Sequence, residues 1–238
     1  AFQTKPAIPP DLTLLLQAAA VASCAALLAY KSSNFLLQLA VHLSAFFLTA
    51  LMCHQALVAR RPDPRHLTEF YLLMSLGGVL GGAFNALWAP VLFNNVWEYP
   101  AVLVLSCLVR PFGSTKVPLW TWTWLILGVG AAVLTPILTT FHTPSLDTDP
   151  VVGNFTESDF FELGIRVLLC AAVVSAFLVR GRSVMFMAVI LVISFAAQTA
   201  ADRVAKTQTW RSFFGVLERS ETFVPGLGGR VNMLAHGT

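Results

Sequence analysis

The chain has 238 residues, of which 56% are hydrophobic and only 11% charged, with a mean hydropathy of +0.72. Soluble domains carry about a quarter charged residues, so a water-soluble fold is excluded and lipid must be the main solvent. The formal charge of +3 is too small and too dispersed for a nucleic-acid binder, and it matches the loop charges of a membrane protein.

Residues 1–12, AFQTKPAIPPDL, have no basic n-region and no Met start, so no signal peptide is expected. They read as the exit of an earlier apolar segment. The final VNMLAHGT reads as an interrupted strand, so both ends are expected to be cuts in a longer polypeptide. A spanning helix needs about 20 apolar residues. In chain order the candidates are Leu12–Tyr30, Phe35–Val58, Phe70–Phe93, Leu119–Phe141, Phe160–Val179 and Val184–Ala200. A shorter run, Ala101–Val109, sits between Pro100 and Pro111. Extended back through NNVWEY it can cross a thin bilayer; otherwise it is re-entrant or interfacial.

Loop charges favour the crossing. Lys5 precedes the first span, and Arg60, Arg61 and Arg65 follow the second. Arg110 and Lys116 follow the short run, and Arg180 and Arg182 separate the last two spans. The loop HTPSLDTDPVVGNFTESD holds acids and no Lys or Arg. If Ala101–Val109 crosses, all the strongly basic loops share one side; Lys31 alone is misplaced. The expected fold is therefore an all-α polytopic membrane protein with about seven transmembrane helices, one of them short. The expected location is the bacterial inner membrane, with the N-terminus cytoplasmic and the C-terminal tail periplasmic. The transmembrane domain is expected over residues 1–201. The tail, residues 202–238, alternates short apolar runs, FFGVL and VNMLA, around a Pro/Gly-rich turn, the pattern of a small extramembrane β-hairpin.

Cys24, Cys53, Cys107 and Cys170 all lie in apolar runs without a C-x-x-C pair, so packing is expected rather than zinc or disulfides. RRPDPRH, residues 60–66, stops the second helix, since prolines two apart cannot sit inside one. Thr68 is the expected cap of the next span, with Glu69 in its first turn. Gly77 and Gly81 share a helical face, Gly78 and Gly82 lie beside them, and Asn85 follows one turn later. Small residues four apart let helices approach closely in lipid, and a buried amide there needs an interhelical partner. This helix is expected to pack centrally, against another span of the chain, with a partner subunit or lipid as the other occupants. Pro90 is expected to kink its last turn.

His42 and His54 are candidate intramembrane polar sites, as such residues are by default. A histidine there can ligate haem iron or chlorophyll magnesium. The two lie twelve residues apart, too far to share a metal, and no second His sits in another span core. Neutral hydrogen-bonded packing is the expectation, with no cofactor and no metal. Glu98, beside Tyr99 and Pro100, is expected to cap or pair across spans at the outer interface. Arg110 and Arg166 are expected to snorkel from helix ends. Trp120, Trp122 and Trp124 form an interfacial belt. Asn154 heads an N-F-T sequon that means little in a protein of bacterial type. The GLGGR run from Gly226 to Arg230 follows Pro225 and opens no helix, so it is a poor nucleotide loop.

Residues 53–111 carry C-H-x-x-L-x-x-x-R-P, T-x-F-Y-L, S-L-G-G-x-L-G-G, F-N-x-L-x-A-P and E-Y-P motifs. This region resembles the membrane half of bacterial fused transporter-like (major facilitator type)/spermidine-synthase-like proteins. RSFFGVL followed by LAHGT resembles the entry to their synthase-like domain, and AFQTKP the exit of the preceding span. The likeness is loose over residues 112–205. It implies a chain drawn from the middle of such a protein, without the glycine-rich turn and acids an aminopropyltransferase needs.

Three functions follow as expectations. The first is a non-catalytic membrane subunit or scaffold that packs against other membrane protein subunits, in an assembly such as a bioenergetic or photosynthetic complex. The second is the membrane half of a spermidine-synthase-like aminopropyltransferase whose catalytic part lies elsewhere. The third is a transporter fragment, for which Asn85, Gln38 and His42 are the only polar candidates at the midplane. The first is preferred, so no enzyme activity is expected of this chain, and its partners are the lipid bilayer and protein rather than nucleic acid.

Overall fold

In a computed structural model the described residues are 6–29, 34–111, 113, 117–141, 157–205, 208–224 and 229–236. Lys5, Lys31, Lys116, the acidic loop through residue 156 with Asn154, and Pro225 to Gly228 lie outside them. The elements are, in order, α1 (Pro10–Ala29), α2 (Phe35–Ala59), a 3₁₀ turn (Pro64–His66) and α3 (Leu67–Ala83). A π turn (Phe84–Trp88) carries α3 into α4 (Ala89–Leu92), and α5 (Glu98–Ser106) ends in a 3₁₀ turn (Cys107–Val109). Then come α6 (Leu119–Phe141), α7 (Glu157–Leu178), α8 (Ser183–Ala205), β1 (Gln208–Ser212), β2 (Gly215–Val224) and β3 (Gly229–His236).

The protein is mostly helical. Among the described residues four helical segments are long and apolar enough to cross a membrane: Pro10–Leu28, Phe35–Ala59, Pro64–Leu92 and Leu119–Leu138. Shorter apolar helices cover Glu98–Val109, Leu163–Leu178 and Ser183–Ala196. The tail is more than the expected hairpin. It is a three-stranded antiparallel sheet of order β1-β2-β3, with Ser212 opposite Gly215 and Val224 opposite Gly229. Phe213 and Phe214 of the FFGVL run turn the chain, so that run is not one strand. The helix before the sheet also runs on to Ala205, past the expected boundary at residue 201.

The core lies between α1, α6, α7 and α8, and α8 packs on α1, α5, α6 and α7. Phe186, Val189, Ile190 and Ile193 of α8 meet alanines at 18, 22, 25, 131, 132, 172 and 176. Small side chains let these backbones approach, and dispersion contacts between them then add up. A close approach occurs at Gly128 of α6, where a Cβ would sit 2.8 Å from Ser175 Cβ and 3.3 Å from Val189 Cγ1.

The expected glycine contact is elsewhere and open. A Cβ added at Gly77, Gly78, Gly81 or Gly82 would meet nothing within 4 Å. None of the apolar window within Pro64–Leu92 is buried. The helix therefore does not pack centrally against another described span. Asn85 Nδ2 donates to Gly81 O of its own helix, at 3.1 Å, rather than to a neighbour. Thr68 does not cap α3; no side chain does, and Asp63 Oδ1 instead accepts from Arg65 N–H in the turn before it. Pro90 has no N–H and its ring would clash with the carbonyl four residues back. The π turn just before it shifts the ladder to an Ala89 N–H to Phe84 O bond, so the helix widens there.

These contrasts can be measured. Gly128→Leu should overpack the α6–α7–α8 contact and destabilise by about 1–3 kcal/mol. Gly77→Leu should leave the thermal midpoint within about 1–2 °C, as a surface change does. Thermal unfolding of both variants in one detergent checks the difference.

Candidate functional site

The polar side chains collect at two opposite ends of the bundle. At one end, α1, α2 and α5 bring Cys24, His42 and Tyr99 together. Tyr99 Oη lies 2.7 Å from His42 Nδ1, Cys24 Sγ lies 3.1 Å from Tyr99 Oη, and Cys24 Sγ lies 3.2 Å from His42 Nδ1. A neutral imidazole nitrogen accepts, while the hydroxyl and the thiol each have a proton to give, so the triangle satisfies itself. Cys24 is fully buried, so its sulfur is enclosed by these partners. Its role therefore exceeds the apolar packing expected of it. His54 is exposed and about 18 Å further along α2. The two histidines thus form separate sites. Among the described residues no group of three or more His, Cys, Asp or Glu can hold a metal.

The residue before Tyr99 faces the sheet. Glu98 and Arg211 of β1 form a two-pronged ion pair, Nη1 to Oε2 at 2.7 Å and Nη2 to Oε1 at 2.6 Å. Nη1 also donates to Asn95 O at 2.8 Å. The side chains are only 11% and 12% exposed, so the pair is shielded from salt and water. The neighbouring carboxylate holds the Arg211 guanidinium above its ordinary pKa. Glu98 pairs as expected, but with the tail rather than with another span. Beside this clasp, Asn85, Ala86, Leu87 and Pro90 face Ser212, Phe213, Gly215 and Val216 across an open cleft of about 480 Å³.

At the other end Arg110 follows the 3₁₀ turn. It is 5% exposed and does not snorkel. Nη1 donates to Leu14 O at 2.9 Å and to Gln17 Oε1, and Nη2 to Arg180 O at 3.3 Å. Its Cζ lies 5.2 Å from the centre of the Phe186 ring, a cation–π contact. Ser183 Oγ donates to Arg110 O at 3.0 Å. One guanidinium thus joins the start of α1, the end of α5 and the α7–α8 turn. The carbonyl of Arg180 stands just past the end of α7, where helix dipoles leave negative charge.

The third candidate is the open face of α3 itself, with Gly77, Gly78, Gly81 and Gly82. Sequence reasoning found this face and preferred another span of the chain as its partner; it read Cys24 as packing and Arg110 as snorkelling, and it did not single out Arg211. A basic residue directly after a short apolar run, with a Gln seven residues into the first span, was the available signal for Arg110. No family model, curated protein or solved structure matches the chain.

Two substitutions test the ends separately. Arg110→Lys cannot reproduce the three-way fork and should cost about 1–3 kcal/mol, read as a lowered thermal midpoint. Glu98→Gln removes the charge and one of the two prongs, which weakens the clasp. It should speed proteolysis of residues 208–236 while the helices stay resistant, as peptide mapping of the digest would show.

Proposed function

We propose that the chain is a non-catalytic integral membrane subunit or scaffold that docks another membrane protein through α3. The observation that carries this reading is the 29-residue segment Pro64–Leu92, long and apolar enough to cross a membrane and with none of its apolar window buried. Leu72, Leu73, Leu76, Val79 and Leu80 are exposed beside glycines with open space above them. Lipid alone would cover the leucines. Four glycines within six positions add something more, a shallow surface on which a second helix gains close van der Waals contact.

The bacterial inner membrane is the proposed location, with the N-terminus cytoplasmic and the sheet periplasmic. Supporting it, Arg110 holds the start of α1, the end of α5 and the α7–α8 turn at one end. The Cys24, His42 and Tyr99 triangle and the Glu98–Arg211 clasp gather the end of α1, the start of α5 and the sheet at the other. That alternation agrees with the side on which the loop arginines favour each turn. Helix α5 and its 3₁₀ turn run between the two ends, in keeping with the short run acting as a crossing.

A second reading is the membrane half of a spermidine-synthase-like protein. It is favoured by the antiparallel sheet lying where the motif resemblance puts the entry to the synthase-like domain. The same purification separates the two. In mild detergent the scaffold reading expects co-eluting membrane subunits by mass spectrometry. It expects Gly77→Ile/Gly81→Ile to reduce that co-elution at least about tenfold, a loss of about 1.4 kcal/mol. Unchanged co-elution, or a lone longer polypeptide that binds S-adenosylmethionine-type nucleosides, would replace it with the second.

A further inference from the structure

The turn between β1 and β2 is built from the wrong residues for water. A two-residue hairpin turn ordinarily selects Asn, Asp or Gly. Here it is Phe213-Phe214, 65% and 90% exposed. Each ring presents an apolar surface on the order of 150–250 Å² when fully counted. Trp210 of β1 is 50% exposed beside them. Exposed aromatics at the tip of a sheet need a covering phase.

Position along α3 and α4 identifies that phase. Phe213 and Gly215 share the cleft with Asn85, Ala86, Leu87 and Pro90. The segment Pro64–Leu92 ends at Leu92, so Asn85 lies seven residues, or about 10 Å, inside that end. The turn therefore hangs beside the last two turns of an apolar span instead of standing above it. Trp88, Val91 and Leu92, at the same level, are 61%, 77% and 64% exposed. Phe213 lies across the cleft from this apolar band. Trp88 at such a level matches the aromatic belts that form where acyl chains meet headgroups, and Phe, which has no polar tip, suits the acyl side of that boundary.

The polar groups of the turn agree. Phe214 N–H donates to Ser212 Oγ at 3.2 Å, and Ser212 Oγ donates to Gly215 O at 3.4 Å. Gly215 takes φ +139°, which only glycine adopts without strain, and so closes the turn on itself. A turn in lipid must satisfy its own backbone, because no water is present to do so. The run from Ser212 to Gly215 carries no charge, and the nearest one, Arg211, is held by Glu98.

We propose that the Phe213–Phe214 turn inserts into the acyl-chain boundary of the bilayer and anchors the sheet against the membrane at the end of α3. The occupant of this surface is phospholipid. The proposal rests on the membrane reading above. With the Glu98–Arg211 clasp it fixes the sheet at two points, one in protein and one in lipid.

The test uses the full chain in native membranes, with the photoreactive analogue p-benzoyl-phenylalanine replacing Phe214 in one variant and Val91 in another. After irradiation, membranes are washed with alkaline carbonate and adducts are read by mass spectrometry. The expected result is a chain retained in the pellet with a phospholipid adduct at position 214. A chain retained in the pellet with a lipid adduct at 91, but a protein adduct or none at 214, overturns the anchor and leaves the membrane reading standing. Release of the chain by carbonate overturns both.

Discussion

A guanidinium buried away from any charged partner is costly unless carbonyl dipoles surround it. Arg110 is buried, and the fork is shared among Leu14 O, Gln17 Oε1 and Arg180 O, with the Phe186 ring alongside. That requirement fixes the architecture at one end. α1 must begin, α5 must end, and α7 must hand over to α8 within reach of one side chain. Short α5 is then obliged to run from this point to the opposite end, where Tyr99 meets Cys24 and His42. The sheet is tied to the same opposite end by Glu98, the residue next to Tyr99. Two polar knots thus hold a bundle whose interior is mostly small and branched apolar side chains, with Phe186 the largest among them.

The knots also explain what is left loose. Helices α1, α6, α7 and α8 bury their small residues against one another. Helix α3 carries the most glycine and buries none of its apolar window. Small residues let helix backbones approach closely. Within this chain such an approach occurs at Gly128, while the glycines of α3 remain available. A helix that is smooth, apolar and unoccupied is the physical basis for reading the protein as a subunit that docks others.

Composition and hydropathy anticipated helices apolar enough for a membrane, the position of each helix within a few residues, and the β character of the tail. Those properties are local, because hydropathy and proline placement act over one segment at a time. The spacing of Gly77, Gly78, Gly81 and Gly82 was equally plain. Its meaning was not, because a small-residue face names no partner. Asn85 shows the same limit, since an amide in an apolar run implies a hydrogen bond but not whether the acceptor is across an interface or four residues back.

What the sequence determined by itself was therefore the inventory of seven apolar helices, their breaks and the polar residues set into them. What only the tertiary structure decided was which of those residues meet. Cys24, His42 and Tyr99 are far apart in the chain, as are Glu98 and Arg211, and Arg110 and Gln17. No periodicity links them, because each pairing depends on which helices are neighbours and which way they run. Hydropathy is a sum over neighbours in sequence, whereas a hydrogen bond depends on neighbours in space.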